Sequence, residues 1–303
     1  MRVLLLGSNG YIGSKFYTNY QNDFNIFPID LCLFNEDITN SHKQNFSRLN
    51  LDFINTFDVV LCLAGHSSVQ LCEYSPERSW VNNVDYFRSL CESLGKTKLI
   101  YASSASVYGS GSSMSSEDSP INFNPLCHYD LQKTTIDLIA NKYIKEGKNI
   151  VGMRFGTVNG ASPNTRSELM INSMVKTAIE TGKVQAKNLH IRRAILSIND
   201  LMKALTIALE NDILPGQYNL SSFNSTVGDI SSTVAKLCNA ELIVNESDPV
   251  AYDFEMTTKK FENETGFKFE DTIESLVQEL KDNYEEINFS TRTENDRDFG
   301  RYM

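Results

Sequence analysis

A chain of 303 residues is long enough for one large domain or for a domain with a smaller lobe, and 41% hydrophobic with 22% charged residues is typical of a globular protein. The net charge of −10 argues against nucleic acid as the main partner, because phosphate-binding surfaces carry a basic excess. No stretch reaches the ~18 apolar residues of a membrane span, so we expect no membrane partner. The cysteines form no CxxC pair and the histidines are scattered, which predicts no metal site, no disulfide framework and buried thiols in a cytoplasmic protein.

The predicted elements alternate short apolar strands with longer helical patterns. The strands are RVLLL, FNIFPI, FDVVLCL, TKLIYA and NIVGMRF, and the helices lie near Tyr11–Tyr20, Pro76–Leu94 and Tyr129–Lys145. This alternation predicts an α/β fold of the Rossmann type, a doubly wound parallel sheet with helices on both faces. The apolar stripes of the last two helices indicate core packing or a dimer face.

The strand and helix rhythm weakens after about Gly160, and the stretch RRAILSINDLMKALTIAL resembles a return to the first part of the chain. We therefore predict a first domain over residues 1–160 with a return segment at 191–211. Residues 161–190 and 212–303 are assigned to a smaller α/β lobe on the C-terminal side, which binds the substrate.

The segment LLLGSNGYIG predicts a phosphate-binding loop. Gly7, Gly10 and Gly13 lie between a strand and a helix, where glycine allows the backbone to approach a pyrophosphate and the helix N-terminus attracts the anion. Asp30 ends the next predicted strand. A carboxylate at this position accepts the ribose hydroxyls of NAD and repels the extra phosphate of NADP, so the predicted cofactor is NAD.

The segment YASSASVYG, after the apolar run KLI, places Ser104 at the end of a predicted parallel strand, where open α/β sheets bind ligands. In HYDLQK, Tyr129 and Lys133 are four residues apart and share one helix face. An ammonium near the phenol lowers its pKa, so Tyr129 is a candidate acid or base toward a substrate oxygen that Ser104 also contacts.

These motifs resemble the extended short-chain dehydrogenases/reductases of the NAD-dependent epimerase/dehydratase family, which act on nucleotide sugars. The resemblance covers nearly the whole chain, through GSNGYIG, VVLCLAG, WVNNV, YASSASVYG, YDLQK and MRFGTVNG. It implies that Ser104, Tyr129 and Lys133 form the catalytic group and that Lys133 also bonds the nicotinamide ribose. It further implies cofactor contacts by Gly7, Gly10, Tyr11, Ile12, Gly13, Asp30, Asp37, Ile38, Ala64, Gly65, Asn82, Tyr129 and Lys133.

For the nucleotide sugar, the resemblance implies contacts from Asn172 of MIN and Arg193 of RRAILSI to the phosphates, with Ser106 at the sugar. Arg166 of SPNTR either replaces a second phosphate-binding arginine or is a surface charge. His66 is expected to be a hydrogen-bonded loop residue rather than a substrate contact. A homodimer is also implied, through the helices near Pro76–Leu94 and Tyr129–Lys145.

One departure from the family narrows the reaction. The 4,6-dehydratases of the family carry Asp-Glu after the hydroxyl residue, whereas this chain has Ala105 and Ser106. Without that carboxylate pair we predict hydride transfer at one sugar carbon, most simply C4, by an epimerase or a dehydrogenase. The short spacing from Asp30 to Asp37 resembles dTDP-4-dehydrorhamnose reductases, so a ketosugar reductase stays open, as does an NAD-binding module without turnover.

Overall fold

The structure, a computed structural model, describes residues 1–33, 36–111, 114–122, 125–245 and 252–290. Its centre is a seven-stranded parallel sheet in the order β11-β6-β5-β4-β1-β2-β3. The strands are β1 (Arg2–Leu6), β2 (Asn25–Asp30), β3 (His42–Lys43), β4 (Val59–Cys62), β5 (Lys98–Ser104), β6 (Ile150–Phe155) and β11 (Gly216–Leu220). The predicted α/β fold of the Rossmann type is confirmed.

The sheet is covered on both faces, which explains why its strands are almost continuously apolar. Along β1, Val3 and Leu5 pack into one hydrophobic cluster, and Leu4 and Leu6 pack into another. Successive side chains of a strand point to opposite faces, so each face receives every second residue. The helices of this part are α1 (Tyr11–Tyr20), α2 (Leu51–Ile54), α3 (Val69–Tyr74), α4 (Pro76–Trp80), α5 (Tyr86–Ser93), α6 (His128–Lys145) and α8 (Ile198–Glu210).

The helix predicted over Pro76–Leu94 is interrupted. Its middle, Val81–Asp85, is a π-helical turn between α4 and α5. The apolar stripes of α5 and α6, including Phe87, Leu90, Ile136 and Ala140, are buried against the sheet. These stripes are therefore core packing and not an exposed dimer face.

The smaller lobe contains short strands and four helices. The strands are β7 (Thr157–Asn159), β8 (Asn164–Arg166), β9 (Lys183–Ala186), β10 (Arg192–Ser197), β12 (Phe223–Thr226), β13 (Glu241–Val244) and β14 (Asn288–Ser290). The helices are α7 (Met170–Thr181), α9 (Val227–Leu237), α10 (Lys259–Thr265) and α11 (Ile273–Asp282). Helices α7, α9 and α11 share one hydrophobic core.

Three strands lie on the other side of the predicted domain division. β7, within the predicted first domain, lies outside the main sheet. β11, assigned to the lobe, completes the main sheet by pairing with β6. β10, assigned to the return segment, pairs with β7 and β12 in a three-stranded sheet, while α8 does pack on the main sheet. Residues 246–251 and 291–303 of the predicted lobe lie outside the described residues.

A buried ion pair holds helix α6 against the sheet. The Arg154 Nε donates to Asp137 Oδ2 at 2.8 Å, and both side chains are almost fully buried. Tyr101 donates its hydroxyl to the other Asp137 oxygen at 2.8 Å. The carboxylate thus has a partner for each oxygen, which is the condition under which a buried charge is tolerated.

We expect Asp137→Asn to lower the free energy of unfolding by about 3–5 kcal/mol, because the amide leaves the Arg154 guanidinium buried without its counter-charge. Urea denaturation measures the change. Glu146→Gln is the matched control, since it breaks the exposed Lys142–Glu146 pair of the same helix and should leave the midpoint close to the native one. Equal midpoints for Asp137→Asn and the native chain would contradict this account of the pair.

Candidate active site

A cavity of about 490 Å³ opens at the carboxyl ends of the main-sheet strands. From β1 the strand order continues to β2 and β3 on one side and to β4, β5 and β6 on the other, so the topology switches between β1 and β4. The cavity lies at this switch point, which is the usual ligand position in open α/β sheets. Most predicted site residues line it: Gly7, Gly10, Tyr11, Ile12, Gly13, Asp30, Ala64, Gly65, Asn82, Ser104, Ser106, Tyr129, Lys133, Arg166 and Arg193.

The glycine loop is shaped by contacts that exclude side chains. Gly7 has a φ of +85°, and a Cβ on it would lie 2.6 Å from the amide nitrogen of Ala64. A Cβ on Gly13 would lie 2.0 Å from the carbonyl oxygen of Gly7. Helix α1 starts directly after this loop at Tyr11, so its N-terminal amides face the cavity. The loop therefore fits an anionic group such as a pyrophosphate.

Asp30 ends β2 at the cavity wall. Its Oδ2 accepts from the amide of Asn9 at 3.0 Å, and its Oδ1 accepts from the amide of Cys32 at 2.7 Å. Cys32 has a left-handed φ of +53°, which turns its amide back toward the carboxylate. Both bonds fix the orientation of the Asp30 carboxylate beside the glycine loop, as a ribose-binding group requires.

Three predicted site residues do not line the cavity. Asp37 instead accepts from the amides of Thr39 and Ser41, and Ile38 is an exposed side chain. Asn172 is fully buried, with its Oδ1 bonded to the amide of Gly160 at 2.9 Å. Its Nδ2 donates to the Arg166 carbonyl and to the Tyr11 hydroxyl. In this structure the Asn172 amide bonds to neighbouring backbone and to Tyr11, and Asn172 is not part of the cavity wall where its predicted phosphate contact would lie.

Ser104, Tyr129 and Lys133 meet in the cavity wall. The Ser104 side chain lies close enough to the phenol of Tyr129 to lower its pKa. The Lys133 Nζ donates to the carbonyl oxygen of Ala102 at 2.7 Å and lies 5.7 Å from the centre of the Tyr129 ring. Strand β5 and helix α6 thus place a hydroxyl, a phenol and an ammonium in one corner of the cavity.

The pKa of Tyr129 differs from the expectation. Burial raises it to about 12, and this outweighs the hydrogen bond from Ser104 and the positive charge of Arg166, which both lower it. The sequence predicted a lowering by Lys133, and in the structure the charge of Arg166 also lowers the pKa of the phenol. Burial also lowers the pKa of Lys133. The protein by itself therefore keeps the phenol protonated at neutral pH.

Sequence reasoning missed a polar network that joins helix α6 to the loop after β4. Asn83 accepts from the amide of His66 at 2.7 Å and donates to Gln132 at 2.7 Å. Asn82, its neighbour in the π-helical turn, contacts the His66 ring at 3.0 Å. Burial lowers the pKa of His66 to about 4, so the imidazole is neutral, and its predicted role as a hydrogen-bonded loop residue agrees with these bonds. The two adjacent asparagines of WVNNV were the available signal.

The cavity also contains buried polar atoms without a hydrogen-bond partner among the described residues. They are the Nη1 of Arg193 and the hydroxyls of Ser103 and Ser106. The Arg193 guanidinium lies 5.8 Å from the ring centre of Phe254. Buried donors of this kind are costly when unsatisfied, so the wall fits a ligand that supplies anionic or hydroxyl oxygens.

Arg166 is held differently. It pairs with Glu168 at 2.8 Å and donates to the Ser67 carbonyl oxygen at 3.0 Å. Because Arg166 lines the cavity, it is not simply a charge on the outer surface.

The remaining thiols and charges supply no metal site among the described residues, where no group of three or more metal-binding side chains occurs. Cys62, Cys72 and Cys91 are buried as expected, but the other three cysteines are partly exposed. Within the described ranges, no helix combines the length and apolar character of a membrane span.

A doubly wound sheet that opens at its switch point onto a glycine loop is the arrangement of dinucleotide-binding proteins. The chain belongs to the NAD dependent epimerase/dehydratase family, whose family model matches residues 3–221. NAD is accordingly its cofactor, and the glycine loop with the adjacent Asp30 carboxylate fits that cofactor.

Individual relatives carry different reactions on the same fold. An ADP-L-glycero-D-manno-heptose-6-epimerase from Brachyspira hyodysenteriae is 26% identical over 249 residues, or 74% of this chain and 76% of the relative. A UDP-glucuronic acid 4-epimerase from Bacillus cereus, in complex with UDP-glucuronic acid and NAD, has a TM-score of 0.82 at 20% identity, with 93% of this chain and 98% of that chain covered. A dTDP-glucose 4,6-dehydratase from Bacillus anthracis in complex with NAD has a TM-score of 0.78 at 20% identity, with 95% and 98% covered. The two structures establish the fold alone.

We expect NADH to bind at least about tenfold more tightly than NADPH, a difference of ~1.4 kcal/mol, because the Asp30 carboxylate repels a 2′-phosphate. Asp30→Asn should narrow this ratio by weakening the repulsion. Fluorescence titration with both nucleotides measures it. Asp37→Asn is the matched control, since that carboxylate lies outside the cavity wall and should leave the ratio unchanged. Tighter binding of NADPH to the native chain would refute the role of Asp30.

Proposed function

We propose that the chain is an NAD-dependent nucleotide-sugar epimerase or dehydrogenase that transfers a hydride at one sugar carbon, most simply C4. The observation that carries the proposal is the placement of Ser104, Tyr129 and Lys133 in the wall of one cavity that also contains the glycine loop. A protein that only binds nucleotide has no need of a phenol that lies beside a serine and an ammonium.

Each part of the cofactor has residues that would hold it. The glycine loop of Gly7, Gly10 and Gly13 would take the pyrophosphate, and Asp30 would bond the adenosine ribose. The Lys133 ammonium donates one hydrogen bond to Ala102, and its remaining N–H groups would bond the nicotinamide ribose. Ala64, Gly65 and Asn82 border the same region. When bound, NAD supplies the hydride acceptor and a positive charge near the phenol.

The proton step belongs to Tyr129. As phenolate it takes the proton of a sugar hydroxyl, while Ser104 hydrogen-bonds the same oxygen and orients the carbon that loses its hydride. In an epimerase, the ketone would then be reduced at the other face of that carbon, and Tyr129 would return the proton to the sugar oxygen. A dehydrogenase stops after the first half. The same two residues serve both reactions, so the geometry supports each equally.

For the nucleotide part, Arg193 is the strongest candidate. Its buried Nη1 has no hydrogen-bond partner among the described residues, and its guanidinium lies over the Phe254 ring, so it presents a donor to a phosphate oxygen. Arg166 and Ser106 extend the polar wall. We assign Asn172 the task of holding Arg166 and Tyr11 in place, with no direct ligand contact.

The absence of a 4,6-dehydratase pair is also part of the proposal. Ala105 is buried in a small cluster with Ala194, Phe254 and Met256, and Ser106 is a neutral hydroxyl. Neither replaces the Asp-Glu pair that removes water in the dehydratases, so we propose no dehydration by that route.

A panel of UDP-, GDP-, CDP- and dTDP-linked sugars, incubated with and without excess NAD, tests the function. Sugar product without net NADH indicates an epimerase, and stoichiometric NADH indicates a dehydrogenase. Conversion of nucleotide-linked ketosugars with NADH alone would instead establish the reductase alternative. No turnover on any member of the panel would refute the enzyme and leave an NAD-binding module.

On any sugar that reacts, Tyr129→Phe should lower kcat about 10²–10⁴-fold, because the proton acceptor is lost. NADH affinity should change little by comparison. The pKa of Tyr129 is raised, so its neutral form is favoured and kcat/KM for oxidation should increase with pH through the alkaline range. A pH profile that is flat or falls between neutral and alkaline pH would contradict the role of this phenol.

We further propose a homodimer in a cytoplasmic setting. Helix α6 exposes Leu131 and Leu138, seven residues apart on one face, at 38% and 44% of their surface. Light scattering at micromolar concentration should give the mass of two chains, and Leu138→Lys should shift it to one. A native mass of one chain would refute the dimer.

A further inference from the structure

The cavity contains a second hydrogen-bonded acid and base pair that the proposed hydride step does not use. The Tyr252 hydroxyl donates to Asp130 Oδ2 at 2.5 Å, and both residues line the cavity. Asp130 follows Tyr129 directly in helix α6, and its side chain is buried, with the residue only 3% exposed. A carboxylate in a cavity wall beside the catalytic phenol needs either a structural or a chemical explanation.

Tyr252 is placed by an extended segment, Tyr252–Thr257, that crosses from the smaller lobe to the wall. Asp253 accepts the Arg192 guanidinium through both oxygens, at 2.9 Å each, and the Thr257 amide donates to the Ser115 carbonyl at 2.9 Å. This anchoring is complete without Tyr252. These bonds hold the segment in addition to the bond between Tyr252 and Asp130, whose two side chains both line the cavity.

The protonation of the pair suits proton transfer. Burial, together with the hydrogen bond to Asp130, raises the pKa of Tyr252 well above its usual value, so this phenol stays protonated. Asp130 is then the acceptor and Tyr252 the donor. The Sγ of Cys127 lies 3.5 Å from the Tyr252 hydroxyl as a further weak partner.

We propose that Asp130 and Tyr252 form a second catalytic pair, which exchanges the proton on the carbon next to the ketone of a nucleotide-linked ketosugar. The inference rests on the proposed function, since hydride transfer at the neighbouring carbon supplies the ketone. A ketone makes the adjacent C–H acidic, and the buried carboxylate of Asp130 in the cavity wall is a suitable base for it.

The step balances without a further reactant. The C–H bond breaks, its proton goes to an Asp130 oxygen, and the electron pair moves into an enolate whose charge lies on the former ketone oxygen. The Tyr252 hydroxyl then gives its proton to the carbon, and Asp130 passes the abstracted proton to the Tyr252 oxygen. Because the two groups are bonded to each other, they meet the same face of the sugar. The carbon therefore keeps its configuration and receives a different proton.

The test uses the full chain in D₂O with a dTDP-linked 4-keto-6-deoxyhexose supplied directly, so that no hydride transfer is required. Proton NMR should show loss of one C–H signal next to the ketone, with the sugar configuration retained, and mass spectrometry should show a gain of one deuterium. The rate should exceed that of buffer alone. Asp130→Asn should lower the enzymatic exchange about a hundredfold, since the amide keeps the contact with Tyr252 but accepts no proton from carbon.

Tyr252→Phe should also slow the exchange, because the deuteron donor is lost. Tyr284→Phe is the matched control, since it removes a phenol bonded to Glu180 at 3.0 Å outside the cavity, and it should exchange at the native rate. Exchange by the native chain no faster than in buffer would overturn the proposal. A native exchange rate in Asp130→Asn would also overturn the proposal. If its thermal midpoint falls at the same time, the bond between Asp130 and Tyr252 has a structural role only.

The two proposals fail in distinguishable ways. Exchange on the ketosugar without hydride transfer on any sugar of the panel would refute the proposed function and support the pair. Hydride transfer without exchange would refute the pair and support the proposed function.

Discussion

The site depends on one hydrogen bond, from the buried ammonium of Lys133 to the carbonyl oxygen of Ala102. It ties helix α6 to the last residues of β5, and so brings Tyr129 of the helix to Ser104 of the strand. A backbone carbonyl near the end of a strand can accept from a side chain, and an ammonium that loses water by burial needs an acceptor. Each group satisfies the other, and the Asp137–Arg154 pair one turn further along α6 keeps the helix in the position where they meet.

The balance of forces at Tyr129 follows from the same packing. Helix α6 must lie close to the sheet for the Lys133 bond to form, and this closeness removes water from the phenol as well. Burial then raises the pKa of Tyr129 more than Ser104 and Arg166 lower it. In the proposed reaction the phenol would therefore need the positive charge of the cofactor to lose its proton. Such an arrangement would restrict proton removal to the complex with both ligands and so limit unproductive chemistry.

Local motifs allowed much of the fold and site to be predicted. The places of Gly7, Gly13 and Asp30 in the cavity wall were predictable because they are set by spacing within one strand-loop-helix-strand unit. Those of Tyr129 and Lys133 were predictable because residues four apart share a helix face. The contacts that the sequence did not predict join residues far apart in the chain. β11 pairs with β6 across more than 60 positions, Asn83 bonds Gln132 across 49, and no periodicity encodes either contact. The motif of Asn172 likewise did not show that its amide bonds to Gly160 and to the Arg166 carbonyl.

The same limitation explains why Asp130 drew no attention in the sequence. In YDLQK it reads as an acidic residue in the first turn of a helix, a position that the helix dipole favours in any protein. Only the fold indicates a further role for Asp130, because Tyr252, 122 residues later in the chain, lies in the same cavity wall and bonds to it. The fold thus places two phenols in one cavity with different partners, Tyr129 beside a serine and cations, and Tyr252 on a carboxylate. Such different environments suit the two phenols to different proton transfers. Tyr129 would lose its proton when a positive charge binds nearby. Tyr252 would keep its proton until the Asp130 carboxylate has taken a proton from the substrate.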